Sequence, residues 1–174
     1  AADMEPLGLF NVQPYLLVGK SDAPYKNMKE LATHAQGSVK EVAIGNFGPA
    51  TVPTLSINRM AIADGWKFKG VVFPATNFTL IQAGDVDLIV VAYPVVASQI
   101  KAGQARALVA LSPKRIGTLP DVPTTREAGY GFDASIWSGL FAPKGTPADI
   151  QKKLSDTLRD ALQDPTIRDF EQKS

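Results

Sequence analysis

At 174 residues, 45% of them hydrophobic and 20% charged, the chain can bury a full core as one domain, or as one domain with part of a second. Its net charge of +1, with acids and bases interspersed, leaves no basic patch for nucleic acid or an anionic membrane surface, and no apolar run approaches the ~20 residues of a transmembrane helix. Cysteine is absent, which excludes disulfides, thiolate chemistry and cysteine-ligated metals.

The chain opens on AADMEPLGLF, which lacks a charged n-region followed by an apolar core, so no signal peptide is expected. The expectation is that a leader has been removed or that the chain begins partway through a longer protein. Residues 14–18 (PYLLV) read as a strand. Asn27 then opens a helix through Ala35, with Glu30 completing a capping box and Met28, Leu31, Ala32 and Ala35 forming one apolar stripe. A short strand at 41–44 is followed by the loop 45–51 and a helix opened by Pro53. Residues 67–73 read as a strand and 77–83 as a short helix closed by Gly84. The run DLIVVA at 87–92 reads as a central buried strand, 95–102 as a helix ended by Gly103, and ARALVAL at 105–111 as another strand. This β-α-β alternation, with continuously hydrophobic strands, predicts an α/β fold on a parallel sheet covered on both faces.

Beyond residue 111 the punctuation becomes dense. Thr124 and Glu127 have capping-box spacing for a short helix that Gly129 would end. Residues 135–142 suit a strand, and Thr146 with Pro147 reads as a hydroxyl cap followed by proline at the first helical position. The helix 148–162 is amphipathic, with Ile150, Leu154, Leu158, Ala161 and Leu162 on one side. Asp164-Pro165 stops it and starts another, containing Ile167 and Phe170.

Catalytic and metal chemistry is mostly excluded. His34 is the only histidine, so neither a two-histidine metal site nor a Ser-His-Asp triad can form within the chain, and its helical position reads as surface. Asp85 and Asp87 lie at the entry of a buried strand, away from the end where α/β sites form. Trp66 and Trp137 read as packing residues rather than a ligand-stacking pair. No catalytic residue, metal site or cofactor is expected.

In a parallel α/β sheet, ligands sit beyond the carboxyl ends of the strands. Three loops leave such ends: GNFGPATV at 45–52, PATN at 74–77 and AYP at 92–94, none with a charged residue. Each leads into a helix N-terminus, where unpaired N–H groups and the helix dipole favour an anion. Gly45 and Gly48 allow close backbone approach, Asn46, Thr51, Thr76 and Asn77 add neutral donors, and Phe47, Phe73 and Tyr93 supply apolar walls. The pattern describes a carboxylate held by dipoles rather than salt bridges; ordinary βα turns are the plainer reading of the same residues.

The run LPDVPTTREAGYGFDASIWSGLFAPKGTP at 119–147, preceded by ALSPKR at 110–115, resembles the signature of the Bug-type solute receptors. These are periplasmic substrate-binding proteins of tripartite tricarboxylate transporters. EPLGLF and PYLLVGKSDAPYKNMKEL near the start, then GDVDL and IKAGQARALVAL, extend the likeness over nearly the whole chain. The resemblance implies a type II periplasmic-binding-protein fold: two α/β domains joined by crossing strands, with ligand in the cleft. It divides the chain into a crossing segment at 1–13, ligand-binding domain two at 14–134, and a return strand with trailing helices of an incomplete domain one at 135–174.

The resemblance also implies a binding protein rather than an enzyme, located in the periplasm. A small carboxylated solute would be captured between two lobes and delivered to the membrane permease subunits. It maps the domain-two ligand loop onto 45–54, putting Asn46, Phe47, Gly48, Pro49, Ala50, Thr51 and Thr54 at the ligand, joined by Thr76, Asn77 and Tyr93 from the neighbouring loops. The family's usual A-G-x-G-T-type turn ends in a serine and often a histidine. Pro49, Ala50, Val52 and Thr54 depart from that form and Thr51 matches it, so the identity of the solute does not transfer. Exposed or swapped elements offer such a fragment a route to a dimer. Two other classes fit an α/β chain: the effector domain of a LysR-type regulator, which would accompany a helix-turn-helix not seen here, and an α/β enzyme fragment, which would need a nucleophile with a base or a metal cluster.

Overall fold

The computed structural model of the protein describes residues 3–132 and 135–168. In chain order the elements are β1 (Met4–Gln13), β2 (Tyr15–Lys20), α1 (Met28–Gly37), β3 (Val42–Asn46), α2 (Val52–Ala63), β4 (Phe68–Val72), α3 (Phe78–Ala83), β5 (Leu88–Ala92), α4 (Tyr93–Lys101), β6 (Ala105–Leu111), β7 (Ile136–Pro143) and α5 (Ala148–Leu162). They fall into two compact units: unit one from Ala1–Val12 and Trp137–Ser174, and unit two from Gln13–Ile136.

Unit two is an α/β domain on a five-stranded sheet of order β4-β3-β5-β2-β6. β3 pairs in parallel with β4 and β5, whereas β2 runs antiparallel to both β5 and β6. The parallel reading therefore holds for β3 to β6 and not for β2. Continuous hydrophobicity reports that both faces of a strand are covered; it carries no information about the strand's direction.

The two faces are packed separately, following the two-residue period of a strand. Leu17, Ile44, Leu88 and Val90 face Leu31 of α1 and Ile57 and Met60 of α2. Leu16, Val18, Ile89 and Val91 face Phe78 and Ile81 of α3 and Val96 of α4. The β2–β6 register shifts at Leu17/Val18, so Leu108 and Val109 join the same layer although they are adjacent in sequence.

Local signals explain most helix ends. Asn27 accepts from the Glu30 N–H at 2.9 Å, and Glu30 returns bonds to the Lys26 N–H and the Asn27 amide. Gly84, at φ 83°, closes α3. Around Thr124 the capping box forms, with the Thr124 N–H donating to Glu127 Oε2 and the Glu127 N–H to Thr124 Oγ1, but it encloses a single turn rather than a helix. Gly129 at φ 98° turns the chain before a second turn can form. Thr146 does not cap α5 either: its hydroxyl donates back to the Pro143 carbonyl, and Pro147 takes the cap position. α4 starts at Tyr93, two residues earlier than the sequence suggests, so β5 passes into it without an intervening loop.

Asp87 ties the entering ends of β3 and β5 together. Its Oδ2 accepts from the Ala43 N–H at 2.8 Å, while its own N–H donates to the Ala43 carbonyl. In unit one, β1 and β7 form a two-stranded sheet. Ser155 of α5 donates to the Leu7 carbonyl, and a Cβ on Gly8 would come within 2.7 Å of Leu158, so Gly8 makes room for that leucine. Ile150 and Leu154 on the same helix remain exposed. Residues 165–168 form a further helical turn, entered through the Thr166 N–H donating to Asp164 Oδ1; Phe170 lies outside the described residues.

Two outcomes follow from this packing. Leu88→Ala, at a fully buried position, is expected to lower stability by about 2–5 kcal/mol in urea denaturation, from lost burial and the cavity left behind. The Thr124 N–H, and after it Arg115, hold the Glu127 carboxylate below the usual carboxylate range. A depressed folded-state pKa contributes stability above the unfolded value of ~4.3 and loses it as pH falls through the folded value. Glu127→Gln should accordingly make the acid limb of a stability–pH profile shallower; an unchanged limb would show that the box contributes nothing to folding.

Candidate functional site

β3 and β5 end where the antiparallel β2 begins, and these meeting ends define one edge of unit two. The Tyr93 N–H donates to the Pro14 carbonyl at 3.1 Å, drawing the start of β2 onto the end of β5. Tyr15, half-buried, meets the ring of Phe47 edge-on at 5.7 Å, with 82° between the planes. Sequence reasoning missed Tyr15 because a parallel β2 would have put it at the opposite end of the sheet. Its only usable signal was the Pro14-Tyr15 entry after a ten-residue stretch, now β1, with no helix between them.

The β3–α2 loop is held by its own polar groups. Asn46 is buried; its Oδ1 accepts from the Gly48 N–H at 2.9 Å, its Nδ2 donates to the Ile44 carbonyl at 3.2 Å, and its carbonyl accepts from the Phe73 N–H. This Asx turn needs Gly48 at φ 115°, a conformation that residues with a Cβ rarely adopt. A Cβ on Gly70 of β4 would lie 3.1 Å from the Asn46 amide, so the neighbouring strand is also small where the asparagine sits. Pro49 and Ala50 are exposed at the loop's tip.

Thr51 precedes α2. Its hydroxyl donates to the Gly48 carbonyl at 3.0 Å and lies 2.9 Å from the buried Thr54 hydroxyl. With the Thr51 proton committed to Gly48, the Thr54 hydroxyl is the donor between the two, since each hydroxyl has one hydrogen. An arriving anion can take the Thr51 proton in exchange for Gly48 without breaking the threonine pair. Behind it, the Val52 and Thr54 N–H groups belong to the first turn of α2, where no intrahelical acceptor exists, and Pro53 has no N–H to supply.

The other two loops are less available. Thr76 is buried and donates to the Val90 carbonyl at 2.6 Å, fastening its loop to β5. Asn77 is exposed and caps α3 by accepting from the Thr79 N–H. Tyr93 lies in the first turn of α4, packed in the α3/α4 layer and only 3% exposed, with its hydroxyl accepting from Thr118. Phe47, Pro49, Ala50 and Thr51 thus form a rim with Tyr15, whereas the buried Asn46, Gly48, Thr54, Thr76 and Tyr93 support it from beneath. No charged side chain lies in these loops. Among the described residues no cluster of histidines and carboxylates could hold a metal ion, and no helix is long and apolar enough to cross a membrane.

The polar residues singled out elsewhere have structural surroundings. Trp66 is buried against Phe68 with its indole N–H unpaired, Trp137 in unit one is exposed beside Phe141, and His34 is exposed against the Tyr25 ring.

The whole chain, residues 1–174, matches the model of the tripartite tricarboxylate transporter family receptor. A UPF0065 protein from the TAR-I ttuE-ttuC' intergenic region of Agrobacterium vitis is 33% identical over 95% of this chain and 49% of its own length. The periplasmic binding protein BugD is 32% identical, with a TM-score of 0.79 over 95% of this chain and 56% of its own. MatC (Rpa3494) from Rhodopseudomonas palustris, solved with bound malate, is 29% identical, with a TM-score of 0.78 over 95% of this chain and 57% of its own. The chain spans about half the length of the curated relatives it matches. On this match over its full extent, the chain belongs to the family of tripartite tricarboxylate transporter receptors, the solute-binding proteins of the Bug type.

Proposed function

We propose that the chain is part of a periplasmic receptor that captures a small carboxylated solute, without chemical change, for delivery to the permease of a tripartite tricarboxylate-type transporter. In this reading unit two is the ligand-binding domain two, and unit one is the crossing segment and return of domain one. The observation that carries it is the uncharged rim at the strand ends, where the loop that leads through Thr51 into α2 also sets Phe47 against Tyr15. Helix N–H groups and a neutral hydroxyl favour an anion without a counter-charge. The malate held by MatC, at 29% identity, supports a dicarboxylate of similar size.

The binding step follows from the loop's hydrogen bonds. A carboxylate accepts the Thr51 hydroxyl proton that Gly48 holds in the free protein, and accepts from the Val52 and Thr54 N–H groups at the start of α2. The Tyr15–Phe47 pair covers its apolar body and keeps water from competing for those donors. The remaining contacts come from the other half of a receptor of the relatives' length, and differential affinity for the closed form then drives closure.

A thermal-shift screen of the full-length receptor against organic acids should raise the melting temperature with C4 dicarboxylates; no shift with any organic acid would sink the reading. Thr51→Val should weaken dicarboxylate binding roughly 10- to 100-fold, the loss of a hydrogen bond to a charged group, and should also cost the free protein about 1 kcal/mol because the buried Thr54 hydroxyl loses its partner. Asn46→Ala should weigh more on the fold and less on binding, costing about 1–3 kcal/mol of stability because its buried loop partners lose their hydrogen bonds. Equal effects of the two substitutions on affinity and on stability would contradict the division between rim and support.

A further inference from the structure

A groove of unit two opens at the other end of the strands from the Thr51 rim. It encloses about 300 Å³ where β2 ends and β3 and β5 begin, at the small end of the ~300–1,000 Å³ typical of small-molecule pockets. Its floor is the ring of Tyr25, 4% exposed, which rests against His34 at 5.4 Å and under Gly19, where an added Cβ would lie 3.6 Å from the ring. The Tyr25 hydroxyl has no hydrogen-bond partner among the described residues. It is nevertheless open to the groove: of the described side chains only the Trp66 indole N–H is both sealed off and unpaired. Burial, with the Asp87 charge adding to it, pushes the phenol up to about 12, so at neutral pH it is a donor waiting for an acceptor.

Asp87 stands beside it with one oxygen in use. Oδ2 accepts from the Ala43 N–H, leaving Oδ1 without a hydrogen-bond partner among the described residues. Around the rim lie two lysines, Lys20 and Lys40, and two more carboxylates, Asp22 and Glu41. None of these five charged groups forms an ion pair with another among the described residues. One groove thus holds unpaired charges of both signs, an unpaired phenol and a carboxylate with a free oxygen. A dicarboxylate would meet three like charges there, and a simple cation would meet two.

We propose that this groove is a second binding site of the chain, for a small zwitterion of the α-amino-acid class. The ammonium group donates to Asp87 Oδ1. The adjacent carboxylate accepts the Tyr25 hydroxyl proton and faces the lysines, and the short spacing between the two charges of an α-amino acid suits the neighbouring Tyr25 and Asp87. The inference does not rest on the solute reading of the Thr51 rim, because the two sites share no residue.

The test is titration of the full chain with L-alanine, followed by ¹H–¹⁵N NMR, with succinate as the comparison ligand. Alanine is expected to bind saturably and to shift amides of residues 19–25, 40–43 and 84–88, with no shift in 46–54. Tyr25→Phe keeps the ring and removes the hydroxyl, and should weaken alanine binding roughly three- to tenfold while leaving the amide spectrum of residues 46–54 unchanged. Asp87→Asn retains an acceptor for the Ala43 N–H and should weaken alanine binding more than Tyr25→Phe. Non-saturable alanine shifts, equal affinity in wild type and Tyr25→Phe, or succinate preferred over alanine at residues 19–25 would each overturn the assignment.

Discussion

The insertion of β2 between β5 and β6, against the direction of its neighbours, is the constraint on which the rest of unit two depends. Leu16, Leu17 and Val18 are fully buried, so both sides of the sheet are built around this one strand. Its hydrogen-bond ladders run to two partners that are themselves buried. Reversing or removing it would leave β6 detached from β5 and open both core layers at once. Its direction also decides what meets at each edge: Pro14 and Tyr15 join the ends of β3 and β5, while Lys20 joins their beginnings.

The uncharged rim is held in shape largely by its own polar groups. Nearly every polar side chain of the supporting loops is engaged with main chain: Asn46 with Gly48 and Ile44, Thr76 with Val90, Asn77 with Thr79. The loop therefore holds its shape without a ligand, and little ordering entropy remains to be lost on binding. Thr51 is bonded to main chain as well, through the Gly48 carbonyl, and in the proposed reading an anion takes that carbonyl's place.

Much of this fold was legible in the sequence because each element announced itself locally. The Asn27–Glu30 box, Gly84 after α3 and Pro53 at the start of α2 are effects of a few neighbouring residues, and these ends fall where they were read. What could not be read was long-range. The direction of β2 depends on where the chain enters unit two, and no residue within PYLLV encodes it. The burial of Tyr93 depends on Thr118 and on the α3/α4 layer, neither visible from the AYP triplet. The Thr124 and Thr146 signals failed differently: the residue types were correct, but Gly129 stopped one turn short and the Pro143 carbonyl captured the other hydroxyl. The loop at 45–52 was singled out through its lack of charge and its glycines, and its extension to 54 came from the family resemblance; which of its residues face outward required the structure.

The division of the chain into a continuous unit two and an interrupted unit one has a consequence for the order of events on the ribosome. Every residue of unit two lies between Gln13 and Ile136, so its sheet and both core layers can close while the rest of the chain is still being made. β1 precedes unit two in the chain, whereas its partner β7 and the helix that seats Leu158 against Gly8 follow it. The β1–β7 pairing therefore cannot close until all of unit two has been made, so the long-range pairing of unit one waits on a domain that needs nothing from it to fold.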